Sequence, residues 1–193
     1  MVFSMSNIKI GLITEDDTDW DAVREIIHRV LDSNVTIKKW TSGGSVAKKK
    51  LSRELKVLFN KGCNVFIVVQ DLDRSPNGSL KDEETLRSEL EPLFSVVNSF
   101  SKHICIPIEE LEAWFWSDSK IIKEIGGEKC KANPNPHQIK SPKEALKKLS
   151  IGKNGKPSYG TNRNAELAKK LDMVECSKYC PSFRELVKFL RSL

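Results

Sequence analysis

The stretch Asn64-Val65-Phe66-Ile67-Val68-Val69-Gln70, followed at once by Asp71-Leu72-Asp73, decides how the rest of the chain is read. Its apolar centre is continuous, not alternating, and too short for a helix, which suits a central strand of a parallel sheet covered on both faces. In such sheets the chemistry lies beyond the carboxyl ends of the strands, and this end carries two carboxylates. Towards the N-terminus, residues 8–14 (IKIGLIT) read as a β-branched strand. Val23, Ile26, Ile27, Val30 and Leu31 then recur at the three- and four-residue spacing of an amphipathic helix over 19–31. Residues 35–40 alternate as a strand, a Gly43-Gly44 loop follows, and a helix over 46–59 turns Leu51, Leu55 and Leu58 inward. In the other direction, 71–78 (DLDRSPNG) read as a loop, 80–97 as a helix interrupted at Pro92, and 102–108 (KHICIPI) as a fourth strand. The order βαβαβαβ predicts an α/β fold, a mostly parallel four-stranded sheet with helices on both faces.

After a helical stretch at 110–116 only helical periodicity remains, over 119–125, 141–149, 162–171 and 182–193. The chain therefore reads as an α/β domain over 1–118 with a helical extension over 119–193 packed on it. Charge follows the same boundary: 17 Lys and Arg stand against 7 Asp and Glu after Asp118, a net of +10, with −4 before it. A basic half beside an acidic half suits a protein that draws in a polyanion and gathers cations at a reaction centre. A length of 193 residues allows one ordinary domain with an appended piece, and 39% hydrophobic with 30% charged residues excludes a disordered chain. No apolar stretch approaches the roughly 20 residues that cross a bilayer, and MVFSMSN lacks a signal-peptide pattern. A cytoplasmic protein with no membrane partner is expected. The five cysteines are an odd number and read as thiols; Cys176 and Cys180, with Cys130 and His137, lack the second close pair of a structural zinc site.

Carboxylates follow three of the strands. Glu15 ends the first, with Asp19 one helical turn on; Asp71 and Asp73 end the third; Glu110 and Glu112, beside Glu109, follow the fourth. Parallel strands bring these ends to one rim. Two carboxylates about 5 Å apart repel by roughly 3 kcal/mol at an effective dielectric of 20, so such a rim calls for a cation. Oxygen ligands without His or Cys favour magnesium or manganese, and phosphate chemistry is their natural use. At a helix start Glu112 is expected to face this rim more than Glu110. No Tyr stands beside any of the three clusters, so strand passage through a tyrosine nucleophile is not expected.

The strand ending in Glu15, the Gly43-Gly44 loop before the second helix, and Asp71-Leu72-Asp73 together resemble the TOPRIM (topoisomerase-primase) domain. IPIEELEAWFWSD (106–118), SPKEALKKL (141–149) and CPSFRELVKFLRSL (180–193) look like a stand-alone bacterial TOPRIM-like family, often encoded beside an ATPase in defence loci. The resemblance implies a magnesium-dependent nuclease acting on DNA or RNA, a phage-defence role and an ATPase partner protein. Asp71 and Asp73 would hold the first metal, and Glu15 would bridge it or act as acid and base. Nucleases of the overcoming-lysogenization-defect type, which are similar, place further acids where Asp19, Glu110 and Glu112 stand, implying a second metal. They also use a basic residue near the scissile phosphate. One departure is that Asp16, not Gly, follows Glu15. The alternative implied by the resemblance is a non-catalytic module that binds nucleic acid or docks on an ATPase. GLITEDDTDWDAVREI with VVQDLDR also resembles a response-regulator receiver, with Asp16, Asp17 and Asp71 as its acidic set, though the receiver's later strand-end Ser/Thr and Lys-Pro have no counterpart.

Lys48, with Lys49 and Lys50, opens the second helix after a Gly-rich loop and could hold a phosphate with free backbone N–H groups. Lys143, Lys147, Lys148, Lys153 and Lys156 are the nucleic-acid-guiding candidates of the basic half, expected to border the acidic rim. Trp114, Phe115 and Trp116 read as core between sheet and extension, and His28, His103 and His137 as structural or exposed. The chain is compatible with a monomer or a homo-oligomer.

Overall fold

Along β3 (Val65–Val69) successive side chains part company. Val65, Ile67 and Val69 enter one apolar cluster, Phe66 and Val68 another. The computed structural model describes residues 8–31, 35–41, 48–75, 78–79 and 81–193, without the side chains of Lys48 and Lys49. β1 (Lys9–Thr14) divides in the same way, with Ile10 and Leu12 on one face and Ile13 on the other. With β2 (Thr36–Thr41) and β4 (Ser101–Cys105) they form an all-parallel four-stranded sheet in the order β2-β1-β3-β4. This is the α/β architecture expected from the alternation of elements. On one face lie α2 (Lys48–Asn60), α3 (Glu83–Leu90) and the 3-10 segment Glu91–Val97 that begins where Pro92 withholds an N–H. α2 approaches β1 closely at Gly11, where a Cβ would stand 3.0 Å from Leu58.

α1 (Asp17–Leu31) covers the other face only in part. The rest of that layer comes from the basic half: α4 (Ser119–Gly126), α5 (Pro142–Leu149), α6 (Asn164–Lys170), α7 (Met173–Tyr179) and α8 (Pro181–Arg191). Ile121, Leu146, Leu167, Cys176, Phe183, Leu186 and Leu190 share one cluster with Ile10, Leu12 and Ile67. The extension is thus half of a helical layer, built on the same core as the sheet. Trp114 and Phe115, 1% and 0% exposed, fill the seam, as read from the sequence.

Details differ from the sequence reading, among them a fourth strand that ends at Cys105 and a helix that begins at Glu83. The stretch expected to be helical at 110–116 is a 3-10 segment, Leu111–Ser117. α7 is an additional helix, started by Asp172, whose side chain accepts from the N–H groups of Val174 and Glu175. α1 begins two residues early because Asp16 caps it, accepting from Thr18 N at 2.7 Å and Asp19 N at 3.0 Å. No described helix is long and apolar enough to cross a membrane.

Candidate functional site

β1 lies between β2 and β3, and the connections leaving β1 and β3 run to opposite sides, so a crevice opens between their carboxyl ends. Glu15 stands at one lip. Its Oε1 accepts the backbone N–H of Asp71 at 3.3 Å and a short hydrogen bond from the side chain of Gln70. Burial, then the charge of Asp73, raises its pKa above the ordinary value. Asp16, where the resembling motif has Gly, spends its carboxylate on the N-cap, and Asp17 points outward to Lys39 at 3.1 Å. The receiver's acidic pair is therefore engaged elsewhere.

The cap places Asp19 in the first turn of α1, 9% exposed. Burial pushes its pKa up to about 8, with Asp16, Glu112 and Glu15 adding and Lys143 opposing. Asp71 follows Val65, Ile67 and Val69 on the α1 face of β3, because the ladder continues past the strand: Leu72 N donates to Pro107 O at 2.8 Å and Leu72 bridges Ile108. Asp71 keeps some solvent contact, but its carboxyl is enclosed. Burial holds its pKa well above the usual range, and Asp19, Glu15, Glu112 and Glu110 each raise it further. Asp71 thus feels the charge of acids from all three strand ends. Asp73 is more peripheral, exposed and paired with Lys81 at 3.5 Å, while still acting on Glu15.

The pair after β4 is tied to the helical half. Glu112, 3% exposed, accepts from Asn164 Nδ2 at 3.1 Å and lies 3.4 Å from the Tyr159 hydroxyl, which donates to Asn164 Oδ1 at 2.8 Å. Burial raises its pKa and the Asn164 bond lowers it in part. Glu110 receives the backbone N–H of Lys143 at 2.8 Å and pairs with its ammonium at 3.4 Å. Both glutamates act on Asp71, Glu112 more than Glu110, and Glu112 is the more deeply buried of the two; Glu110 stands as the extended N-cap of the 3-10 segment. Sequence reasoning saw no Tyr beside the acids. Tertiary packing brings Tyr159 there from 47 residues away, buried, with its pKa raised by burial and by Glu112.

Lys143 is the cation of this cluster. Burial works against its charge, but Glu110 and Glu112 outweigh it and raise its pKa, with Asp71 adding. Of the basic-half lysines it is the one that these contacts bring to the rim. Lys147 pairs with Glu144 at 2.7 Å, and Lys148, Lys153 and Lys156 are exposed. Lys48 begins α2, but its side chain and the Gly43-Gly44 loop lie outside the described residues. The thiols of Cys176, Cys180 and Cys130 donate to the carbonyls of Trp114, Ala113 and Gly126. Gln70, Tyr159 and Asn164 are site residues that carry no motif; only Gln70, adjacent to Asp71, had a positional signal.

The donor chemistry suits a hard divalent cation. All the acids offer oxygen, and Glu15, Asp19, Asp71 and Glu112 each hold their protons more tightly because burial, and then the charge of neighbouring carboxylates, disfavours the ionised form. Among the described residues, however, no three His, Cys, Asp or Glu side chains stand together as a ready metal-holding group, so binding would have to draw them in. A family model described as "Domain of unknown function (DUF4276)" matches residues 14–191. No curated protein and no solved structure matches.

Proposed function

The chain belongs to the DUF4276 family, whose description carries no activity, and from the site itself we propose a magnesium-dependent nuclease that hydrolyses phosphodiester bonds in DNA or RNA. The observation that carries this reading is a set of acids from three strand ends acting on Asp71, with Glu15 anchored on the Asp71 N–H at 3.3 Å and the half-buried Lys143 paired with Glu110 at 3.4 Å. Asp71, Asp73 and Glu15 would hold the metal, with Asp19, Glu110 and Glu112 able to complete a second position. A bound magnesium would supply Lewis acidity towards a phosphoryl oxygen and a more acidic attacking water. Lys143 binds and orients the scissile phosphate. Glu15, at the lip of the crevice, takes the proton that water loses as its oxygen bonds to phosphorus, and returns it to the departing sugar oxygen. The exposed Lys148, Lys153 and Lys156 guide the polyanion. A place in phage defence beside an ATPase partner, in the cytoplasm, belongs to the same reading through the TOPRIM resemblance.

The deciding experiment compares the parent with Asp71→Asn on short single- and double-stranded oligonucleotides in magnesium and in chelator. Metal-dependent cleavage that falls about a hundredfold or more in the variant supports the proposal. Absence of cleavage by the parent would remove it in favour of the second reading, a non-catalytic module that binds nucleic acid or docks on an ATPase. That reading is favoured by the ties of Glu110 to Lys143 and of Glu112 to Asn164 and Tyr159, which occupy both carboxylates without a metal. Such a module would show no change in melting temperature on adding millimolar magnesium.

A further inference from the structure

Among the described residues, Glu109 at φ 66° and Ser141 at φ 48° are the non-glycine residues with left-handed backbone. That conformation is costly for a residue with a Cβ and persists only where the surroundings fix it. The two meet across 32 positions: Glu109 Oε2 accepts the Ser141 N–H at 3.3 Å. Glu109 is 7% exposed, and its other oxygen pairs with Arg74, the residue directly after Asp73. Next along the chain, Glu110 takes the N–H of Lys143. One buried carboxylate therefore touches both the loop that carries Asp71 and Asp73 and the start of the helix that carries Lys143.

We infer that Glu109 is a positioning residue, coupling the Asp71 loop through Arg74 to the first turn of α5 through Ser141, so that Lys143 is set against the acidic cluster. The strain at both ends of the Glu109–Ser141 bond is the cost of that alignment: relaxed backbone at either residue would turn the carboxylate or the N–H away. The functional consequence rests on the cluster being a reaction site, whereas the coupling itself does not.

The test uses residue-resolved amide exchange on the full chain, with rates taken relative to Leu186 in α8 to remove any global loss of stability. Arg74 bonds to Gly78 and Glu109 and, among the described residues, to nothing in α5. Arg74→Ala should nonetheless speed exchange at Ser141 and Lys143 at least tenfold, Glu109→Gln should do the same, and the double variant should be no faster than Glu109→Gln alone. Arg74→Lys, which keeps the positive charge, should restore rates to near the parent's. Unchanged exchange at Ser141 in Arg74→Ala, or effects that multiply in the double variant, would overturn the inference. In the cleavage assay Glu109→Gln should lower kcat at least tenfold with KM within twofold; an unchanged kcat overturns the functional half. A parent that cleaves nothing removes the nuclease proposal, and the exchange result then still decides the coupling.

Discussion

Glu15 Oε1 lies 3.3 Å from the backbone nitrogen of Asp71, so the acid that ends β1 is anchored on the acid that ends β3. The two strands are neighbours in register, Ile13 opposite Val68, and their next residues of consequence meet across the crevice between them. This anchoring holds Glu15 at the site even as the surrounding carboxylates repel one another.

The repulsion has a pH signature. Without metal, burial and the neighbouring acids push the pKa of Asp19 up to about 8, against an ordinary 3.8. Folding therefore takes up a proton between those values, and stability should fall as pH rises from about 4 to 8, by an amount on the order of a few kcal/mol. Thermal unfolding in chelator across this range checks the slope. Magnesium, which favours the ionised acids, should raise the melting temperature more at pH 8 than at pH 5, and Asp19→Asn should make the metal-free profile shallower, with Glu15, Asp71 and Glu112 carrying the remaining slope.

Lys143→Met keeps the length of the side chain and removes the charge that opposes the acids. At neutral pH the variant should lose about 1–3 kcal/mol, below the cost for a fully buried pair because Lys143 is 35% exposed. The loss should shrink as pH is lowered and the carboxyls protonate, which denaturant titrations at two pH values would measure.

Tyr159→Phe removes the hydroxyl that donates to Asn164 and lies beside Glu112. The buried Asn164 oxygen is left short of a donor, so a loss of about 1–3 kcal/mol is expected without a change of fold. If cleavage per folded molecule is retained, the hydroxyl is excluded as a nucleophile and its role is the structural one that the stability loss reads.

Gly11→Val places methyl groups where even a Cβ would stand 3.0–3.1 Å from Leu58. Overpacking between β1 and α2 should cost about 1–3 kcal/mol, read as a lower denaturant midpoint at unchanged slope. The crevice is carried by β1, so metal response should weaken in parallel.

Lys148, Lys153 and Lys156 are exposed and lie clear of the acidic pairing that occupies Lys143 and Lys147. Replacing all three with Ala should reduce the salt slope of duplex binding by roughly 2.7 units, since each phosphate contact contributes about 0.9. Magnesium-induced stabilisation should stay within error of the parent's, because screened surface charges act little on the enclosed carboxylates. A variant with the parent's affinity and slope would return these lysines to a solvated surface.

The sheet was legible because its code is local. A continuous apolar run at 65–69, β-branched residues at 9–14 and the intervening helical periodicities each state their own element, and the alternation of elements then allows few topologies. The acids at the strand ends were legible for the same reason, since parallel strands put their carboxyl ends on one rim whatever the loops do. What the local code could not carry was the partnership of side chains distant in sequence. That Glu112 answers to Asn164 and Tyr159, and that Lys143 alone of five lysines joins the acids, are decided by how α5 and the segment before α6 dock on the sheet. Docking is set by the apolar faces of those helices; the polar contacts follow from it, and no spacing in the sequence records them.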